Sequence, residues 1–175
     1  MTIVTAQRSL LRAMLRAMLR ALRHPLETAV CGLLIAMTIV VFSQVVARYI
    51  FEAPLSWSEE LARFLLMWLS MLSAAYAFKT KSHFALRIVV GKLSQSAQWV
   101  MALFVHGVVA IFFSVLLYFS IVFVNGVNGH IAPALQISMQ VPYSSIVVGC
   151  FLILQQTLRS AFSEFQGRNI EMKRD

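Results

Sequence analysis

The side chains best able to hold a charge or a ligand crowd into one stretch, Arg48-Tyr49-Ile50-Phe51-Glu52-Ala53-Pro54-Leu55-Ser56-Trp57-Ser58-Glu59-Glu60-Leu61-Ala62-Arg63. Ser56 followed by Glu59 has the spacing of a capping box, in which hydroxyl and carboxylate satisfy the free N–H groups that open a helix. Glu59 and Glu60 fall in that helix's first turn, where the backbone dipole favours negative charge. Glu59 and Arg63, spaced i, i+4, can pair on one helix face. Arg48 closes the preceding helix at the end that favours a cation. Tyr49 and Trp57 suit the aromatic belt of a membrane–water boundary. Capping, pairing and belt roles cover most of this constellation. Two adjacent acids and a Trp on a short loop also suit docking of a partner, and the two roles can coexist.

Elsewhere the chemistry is sparse. All seven acids, Glu27, Glu52, Glu59, Glu60, Glu164, Glu171 and Asp175, sit at or beyond the ends of apolar runs. A carboxylate at mid-membrane marks an ion or proton path, so its lack here argues against a stand-alone proton-coupled pump and against a small multidrug-efflux subunit. Of four histidines, only His106 lies within an apolar run, whereas His24, His83 and His130 lie outside. Haem between membrane helices needs facing axial histidines, so a lone His106 reads as hydrogen-bonded packing. Cys31 and Cys150 lie in apolar runs without CxxC and read as small packing residues. A disulfide-generating enzyme needs exposed redox cysteines. No Gly-rich phosphate loop, nucleophile elbow or HExxH occurs. The residues therefore offer no catalytic group, no metal site and no cofactor site, and the chain reads as not an enzyme.

The elements that carry these residues follow from composition. Of 175 residues, 59% are hydrophobic and 13% charged, and mean hydropathy is +0.77. Soluble domains average about 25% charged residues, so lipid is the better solvent for this chain. Its net charge of +8 is clustered beside apolar runs, the pattern of membrane topology and not of a nucleic-acid-binding surface. The runs predict four transmembrane helices over about 28–47, 61–79, 98–124 and 142–160, within a domain spanning 25–165. The third would rise about 40 Å against a hydrocarbon layer of about 30 Å, so it tilts or protrudes. Pro142 opens the fourth, where its missing N–H costs nothing. Ser70, Ser73, Ala74 and Ala77 make one smooth face on the second, of the kind that lets membrane helices approach closely.

Residues 1–24 read as a basic amphipathic helix. On a helical wheel Arg8, Arg12, Arg16, Arg20 and Arg23 share an arc of about 120°. Leu10, Leu11, Met14, Leu15, Met18 and Leu22 occupy the opposite side, and only Leu19 breaks the separation. Such a helix suits the surface of anionic phospholipid. A mitochondrial transit peptide, a partner-binding helix and a plain solvated helix share its composition, although no Ser-rich stretch or clear cleavage site follows. Residues 166–175 read as a tail. Thirteen of the fifteen basic residues fall before the first span, between the second and third, or after the fourth. The positive-inside rule then places both termini in the cytoplasm. The fold class is thus all-α integral membrane: four spans preceded by an interfacial helix, N-in and C-in.

The run RYIF…PLSWSEELARFLLMWLSMLSAAYAF…SHFAL resembles the DctQ-type small membrane subunit of tripartite ATP-independent periplasmic (TRAP) transporters. That family shows Arg-Tyr at the end of the first span, then Trp-x-Glu-Glu-x-x-Arg, a further Trp, an Ala-rich stretch and a loop His. The corresponding residues are Arg48, Tyr49, Trp57, Glu59, Glu60, Arg63, Trp68, Ala74, Ala75, Ala77 and His83. ISMQVPYSSIVV, at the start of the fourth span, is also similar. The chain departs from the family at Ser82 and Arg87, where Gly before and Asp after the loop His are common.

The resemblance implies a bacterial inner-membrane protein with a division of labour. A large multi-span subunit carries the substrate and sodium sites, and a periplasmic binding protein delivers a small organic acid. The small subunit would hold no transport site of its own, would enlarge the fixed scaffold and would help receive the binding protein. Arg48, Tyr49, Trp57, Glu59, Glu60, Arg63 and Trp68 are then the docking candidates. The alternative reading is a small membrane redox or haem-anchor subunit, and a third is a self-associating channel.

Overall fold

The computed structural model describes residues 24–53, 55–90 and 95–171. The five arginines of the amphipathic segment, Arg8 to Arg23, lie outside the described residues, as do Pro54 and 172–175. Among the described residues there are four long helices: α1 (Pro25–Tyr49), α2 (Ser56–Val90), α3 (Gln95–Gly126) and α4 (Gln140–Glu171). Each contains a stretch long and apolar enough to cross a membrane: Pro25–Tyr49, Ser56–Thr80, Val100–Gly126 and Gln140–Ser163. The four expected spans fall inside these helices. The chain is thus an all-α, multi-pass membrane protein.

Two helices run well past their apolar stretches. α2 has 35 residues and continues through 81–90, a segment whose Lys and Arg read as a loop in the sequence. At 1.5 Å per residue it rises about 52 Å, beyond a bilayer of about 40–45 Å including headgroups. α4 likewise continues to Glu171, so the first part of the expected tail is helical. Charged helical residues cost nothing once they clear the hydrocarbon, and nothing between Thr80 and Val90 breaks the helix.

The helices form an open row. α1 packs on α2, α2 on α4, and α4 on α3, while α2 and α3 barely meet. One α2–α3 contact is the edge-on pair Phe78–Phe113, with ring centroids 5.6 Å apart. The order across the row is therefore α1–α2–α4–α3. As an edge helix, α1 has no buried residue, and Phe42 on it is 69% exposed. Such apolar exposure suits lipid or a second membrane chain, not water.

α4 lies inside the row and carries much of the buried surface, including Pro142, Ser145, Cys150, Ile153 and Thr157. At one point it comes very close to α2. A Cβ built on Gly149 would lie 2.8 Å from the Cβ of Met71, so only glycine fits there without moving a helix. On α2, Leu72 and Ala75 are buried. Of the expected small-residue face, Ser70 is exposed, while Ser73, Ala74 and Ala77 are half-buried.

Hydroxyls within the spans are satisfied locally. Thr38 donates to the Leu34 carbonyl at 2.8 Å, Ser120 to Leu116 at 2.6 Å and Thr157 to Ile153 at 2.9 Å. This back-bonding lets a polar side chain sit in lipid without an orphaned donor. His106, 8% exposed, does the same through Nδ1, which donates to the Ala102 carbonyl at 2.7 Å.

Candidate functional site

The polar stretch singled out above lies at the end of the row where α1 stops, α2 starts, α3 stops and α4 starts. Two connections meet there, a short α1–α2 turn and the longer α3–α4 loop. In the turn, Ile50 donates its N–H to Val46 at 2.9 Å and Ala53 donates to Ala47 at 3.1 Å. Glu52 adopts φ 51°, the left-handed conformation that reverses the chain after α1. Arg48 lies in the last turn of α1, exposed, and Tyr49 beside it is 76% exposed.

The opening of α2 differs from the expected capping box. Ser56 is already the first helical residue. Ser58, 1% exposed, donates its hydroxyl back to the Leu55 carbonyl at 2.7 Å. Glu59 turns forward and not back: its Oε1 accepts from Nη2 of Arg63 at 2.6 Å. That pair is largely solvent-facing, with side chains 57% and 71% exposed, so screening and side-chain entropy leave it worth well under about 1 kcal/mol.

Glu60 does something the sequence did not disclose. Its Oε2 accepts two successive backbone N–H groups of the α3–α4 loop, Ala134 at 3.0 Å and Leu135 at 2.8 Å. An ionised acceptor makes such bonds roughly twice as strong as neutral ones. The partners lie 74 and 75 residues away and are backbone groups, so no residue type in the sequence marks them. A clue was present in Gly129, Pro133 and Pro142, which signal an ordered turn-rich connection.

That loop is a built structure. Ile131 and Ser138 form an antiparallel bridge. Ala132 donates to Ile137 at 2.8 Å, Met139 to His130 at 2.9 Å and Gln136 to Ala132 at 3.0 Å. Gln136 adopts φ 54°, and Gly129, at φ 90°, takes a conformation that L side chains rarely adopt. Gln140 Nε2 caps the exposed end of α3 through the Val124 carbonyl at 3.2 Å. Phe123 and Tyr143 stack edge-on at 5.0 Å, joining α3 to α4 just below.

The structure thus brings Glu60 to the α3–α4 loop, with Glu59 and Arg63 paired on the open side of α2. Trp57, 44% exposed, lies in the first turn of the same helix. Trp68 lies three turns further along and is half-buried. Among the described residues, no group of three His, Cys, Asp or Glu side chains is placed to hold a metal. Cys150 is buried in α4, while Cys31 is exposed on α1. The arrangement can hold a loop in shape and present a surface. A separate shallow groove near the other end of α4, lined by Gln155, Leu158, Arg159, Phe162 and Ser163, is far from this site.

Known proteins give this geometry a context. The chain is 38% identical over 73 residues to a TRAP transporter small permease protein of Haemophilus influenzae, covering 42% of this chain and 45% of that protein. It is 33% identical over 72 residues to the sialic acid TRAP transporter small permease protein SiaQ of Vibrio cholerae, covering 41% and 42%. A 51-residue stretch is 37% identical to the sialic acid TRAP transporter permease protein SiaT of Haemophilus influenzae, covering 29% of this chain and 8% of that protein. The chain thus spans just under half the length of the two small permease proteins. Together these likenesses favour a transporter component over the redox or haem-anchor alternative. Residues 37–167, which hold all four expected spans but the start of the first and the whole turn-and-loop site, match the family described as tripartite ATP-independent periplasmic transporters, DctQ component, and the chain belongs to that family.

Proposed function

We propose that this small TRAP permease subunit has no transport site of its own and widens the fixed membrane scaffold around a large transport subunit. The observation that carries this is the open row of helices. α1 packs on α2 yet has no fully buried residue, and large apolar side chains on α3 and α4 are exposed too, so much apolar surface stays open. A large multi-span permease subunit is the partner this surface fits. The stripe of Ser70, Ser73, Ala74 and Ala77, left partly open by the chain's own packing, suits close approach of a partner helix.

On this reading the chain lies in a bacterial inner membrane with both termini cytoplasmic, as the basic residues indicate. The turn-and-loop site then faces the periplasm, where it helps receive the substrate-binding protein. Arg48, Tyr49, Trp57, Glu59, Glu60, Arg63 and Trp68 remain the docking candidates. Sodium coupling and binding of a small organic acid belong to the large subunit, so no cofactor or metal is assigned to this chain. The arginines Arg8, Arg12, Arg16, Arg20 and Arg23 rest on phospholipid of the cytoplasmic leaflet and resist movement of the scaffold.

Affinity purification of the full-length chain from its native membrane, with identification of the bound chains, tests this reading. Stoichiometric recovery of a large TRAP permease subunit is expected. Recovery of the chain as a homo-oligomer without partners, or with a haem Soret band, would overturn it.

A further inference from the structure

Two Asn-Gly pairs stand three residues apart where α3 gives way to its loop, Asn125-Gly126 and Asn128-Gly129. All four residues are exposed, and on either glycine nothing beyond the adjoining chain lies within 4 Å of where a Cβ would stand. The pairs thus share composition, exposure and open surroundings. They differ in what holds the glycine N–H. Gly126 is the last residue of α3, and helical bonding continues past it, since Val127 donates to Phe123 at 3.1 Å. The Gly126 N–H is therefore tied into the last turn. Gly129 lies beyond the helix at φ 90°, and its N–H meets no acceptor among the described residues. The residues on both sides of it are bonded: Asn128 donates to Asn125 at 3.3 Å and His130 to Val127 at 3.1 Å.

A glycine nitrogen with no hydrogen bond to break and no Cβ in the way can approach the side-chain carbonyl of the asparagine before it. The nitrogen of Gly129 loses its proton and bonds to Cγ of Asn128. The Cγ–Nδ2 bond breaks, and the side-chain nitrogen leaves with that proton as ammonia. A five-membered imide results, which water opens at either carbonyl. Opening at Cγ gives aspartate. Opening at the backbone carbonyl gives isoaspartate, in which the main chain runs through the former side chain. Water is the sole co-reactant, and nothing is oxidised or reduced. Either product carries a negative charge where the amide was neutral. Isoaspartate also adds one methylene to the main chain between Val127 and His130, the stretch that the 3.1 Å turn bond closes.

We propose that Asn128 is a modification site of this chain: attack by the unbonded Gly129 nitrogen converts it to aspartate and isoaspartate, and the isoaspartate opens the His130–Val127 turn at the exit of α3, while Asn125 is spared by its helix. This needs no partner chain and stands apart from the functional reading above.

The test incubates the full-length chain in lipid nanodiscs in heavy-oxygen water, beside a sample unfolded in denaturant and detergent. Peptides are then mapped by mass spectrometry with fragmentation that tells isoaspartate from aspartate. In the folded chain, conversion at position 128 with uptake of heavy oxygen is expected to run about tenfold or more faster than at position 125, where a helical bond must first open. In the unfolded sample the two rates become comparable, because both sites are then plain Asn-Gly. Asn128→Gln, whose ring would need six members, removes the signal at 128 and leaves 125 as it was. Amide exchange at His130 is expected to be several-fold faster in the isoaspartate fraction than in Asn128→Asp, which carries the charge without the added methylene. Equal rates at the two positions in the folded chain, faster conversion at 125, or no conversion at 128 by the time the unfolded sample has converted, overturns the proposal. Equal His130 exchange in the isoaspartate fraction and in Asn128→Asp overturns the effect on the turn.

Discussion

Single residues at the turn end divide by what their polar atoms touch. Removing the Glu59–Arg63 pair with Glu59→Ala is expected to change the unfolding free energy by less than about 0.5 kcal/mol, because the pair is exposed. Glu60→Ala leaves two loop N–H groups, one exposed and one part-buried, to water in place of their acceptor and is expected to cost about 1 kcal/mol, more than Glu59→Ala. Denaturation of the detergent-solubilised protein, followed by circular dichroism, separates the two. Glu52 supplies a third case. At φ 51° a side chain is tolerated only at a cost, so Glu52→Gly is accepted, whereas the β-branched Glu52→Val destabilises by about 1–2 kcal/mol in the same assay. The sequence showed Glu59, Glu60 and Arg63 as a group and gave the i, i+4 pair correctly. It did not separate Glu60 from Glu59, because the difference is made by backbone atoms more than seventy residues away.

At the scale of helices, packing is set by small residues where two helices must approach. Gly149 against Met71 is the tightest such point. Gly149→Ala places a methyl group 2.8 Å from a Cβ that cannot swing aside, so α2 and α4 must separate. Such overpacking costs about 1–3 kcal/mol, read as a lower melting temperature, while Gly32→Ala on α1, where nothing lies within 4 Å, is neutral or mildly stabilising. Sequence spacing marked Ser70, Ser73, Ala74 and Ala77 as the smooth face of α2, yet the contact with α4 is made through Met71, about a third of a turn away. Periodicity reports that a face is smooth and not which neighbour uses it. The four spans themselves were legible, since lipid demands about twenty apolar residues per crossing. The extensions of α2 through Val90 and α4 through Glu171 were not, because basic residues that end an apolar run at the membrane boundary need not end the helix.

The whole molecule reads as one part of a larger assembly. An open row α1–α2–α4–α3 with a bare edge helix leaves surface for another membrane chain, and the family match names the kind of transporter that supplies one. Topology follows from the same account. Single cysteines at His130 and Asp175, in a chain with Cys31 and Cys150 replaced by serine, are expected to react differently in intact cells: an impermeant maleimide labels position 130 and not position 175. The reverse pattern would invert the chain and remove the turn end from the side of the binding protein. The most direct measurement is solute uptake by vesicles reconstituted with this chain alone, with the large subunit alone, and with both, each supplied with binding protein and a sodium gradient. Uptake is predicted only with both chains together. Sodium-driven uptake by this chain alone, or undiminished uptake without it, would contradict the subsidiary scaffold role proposed for it.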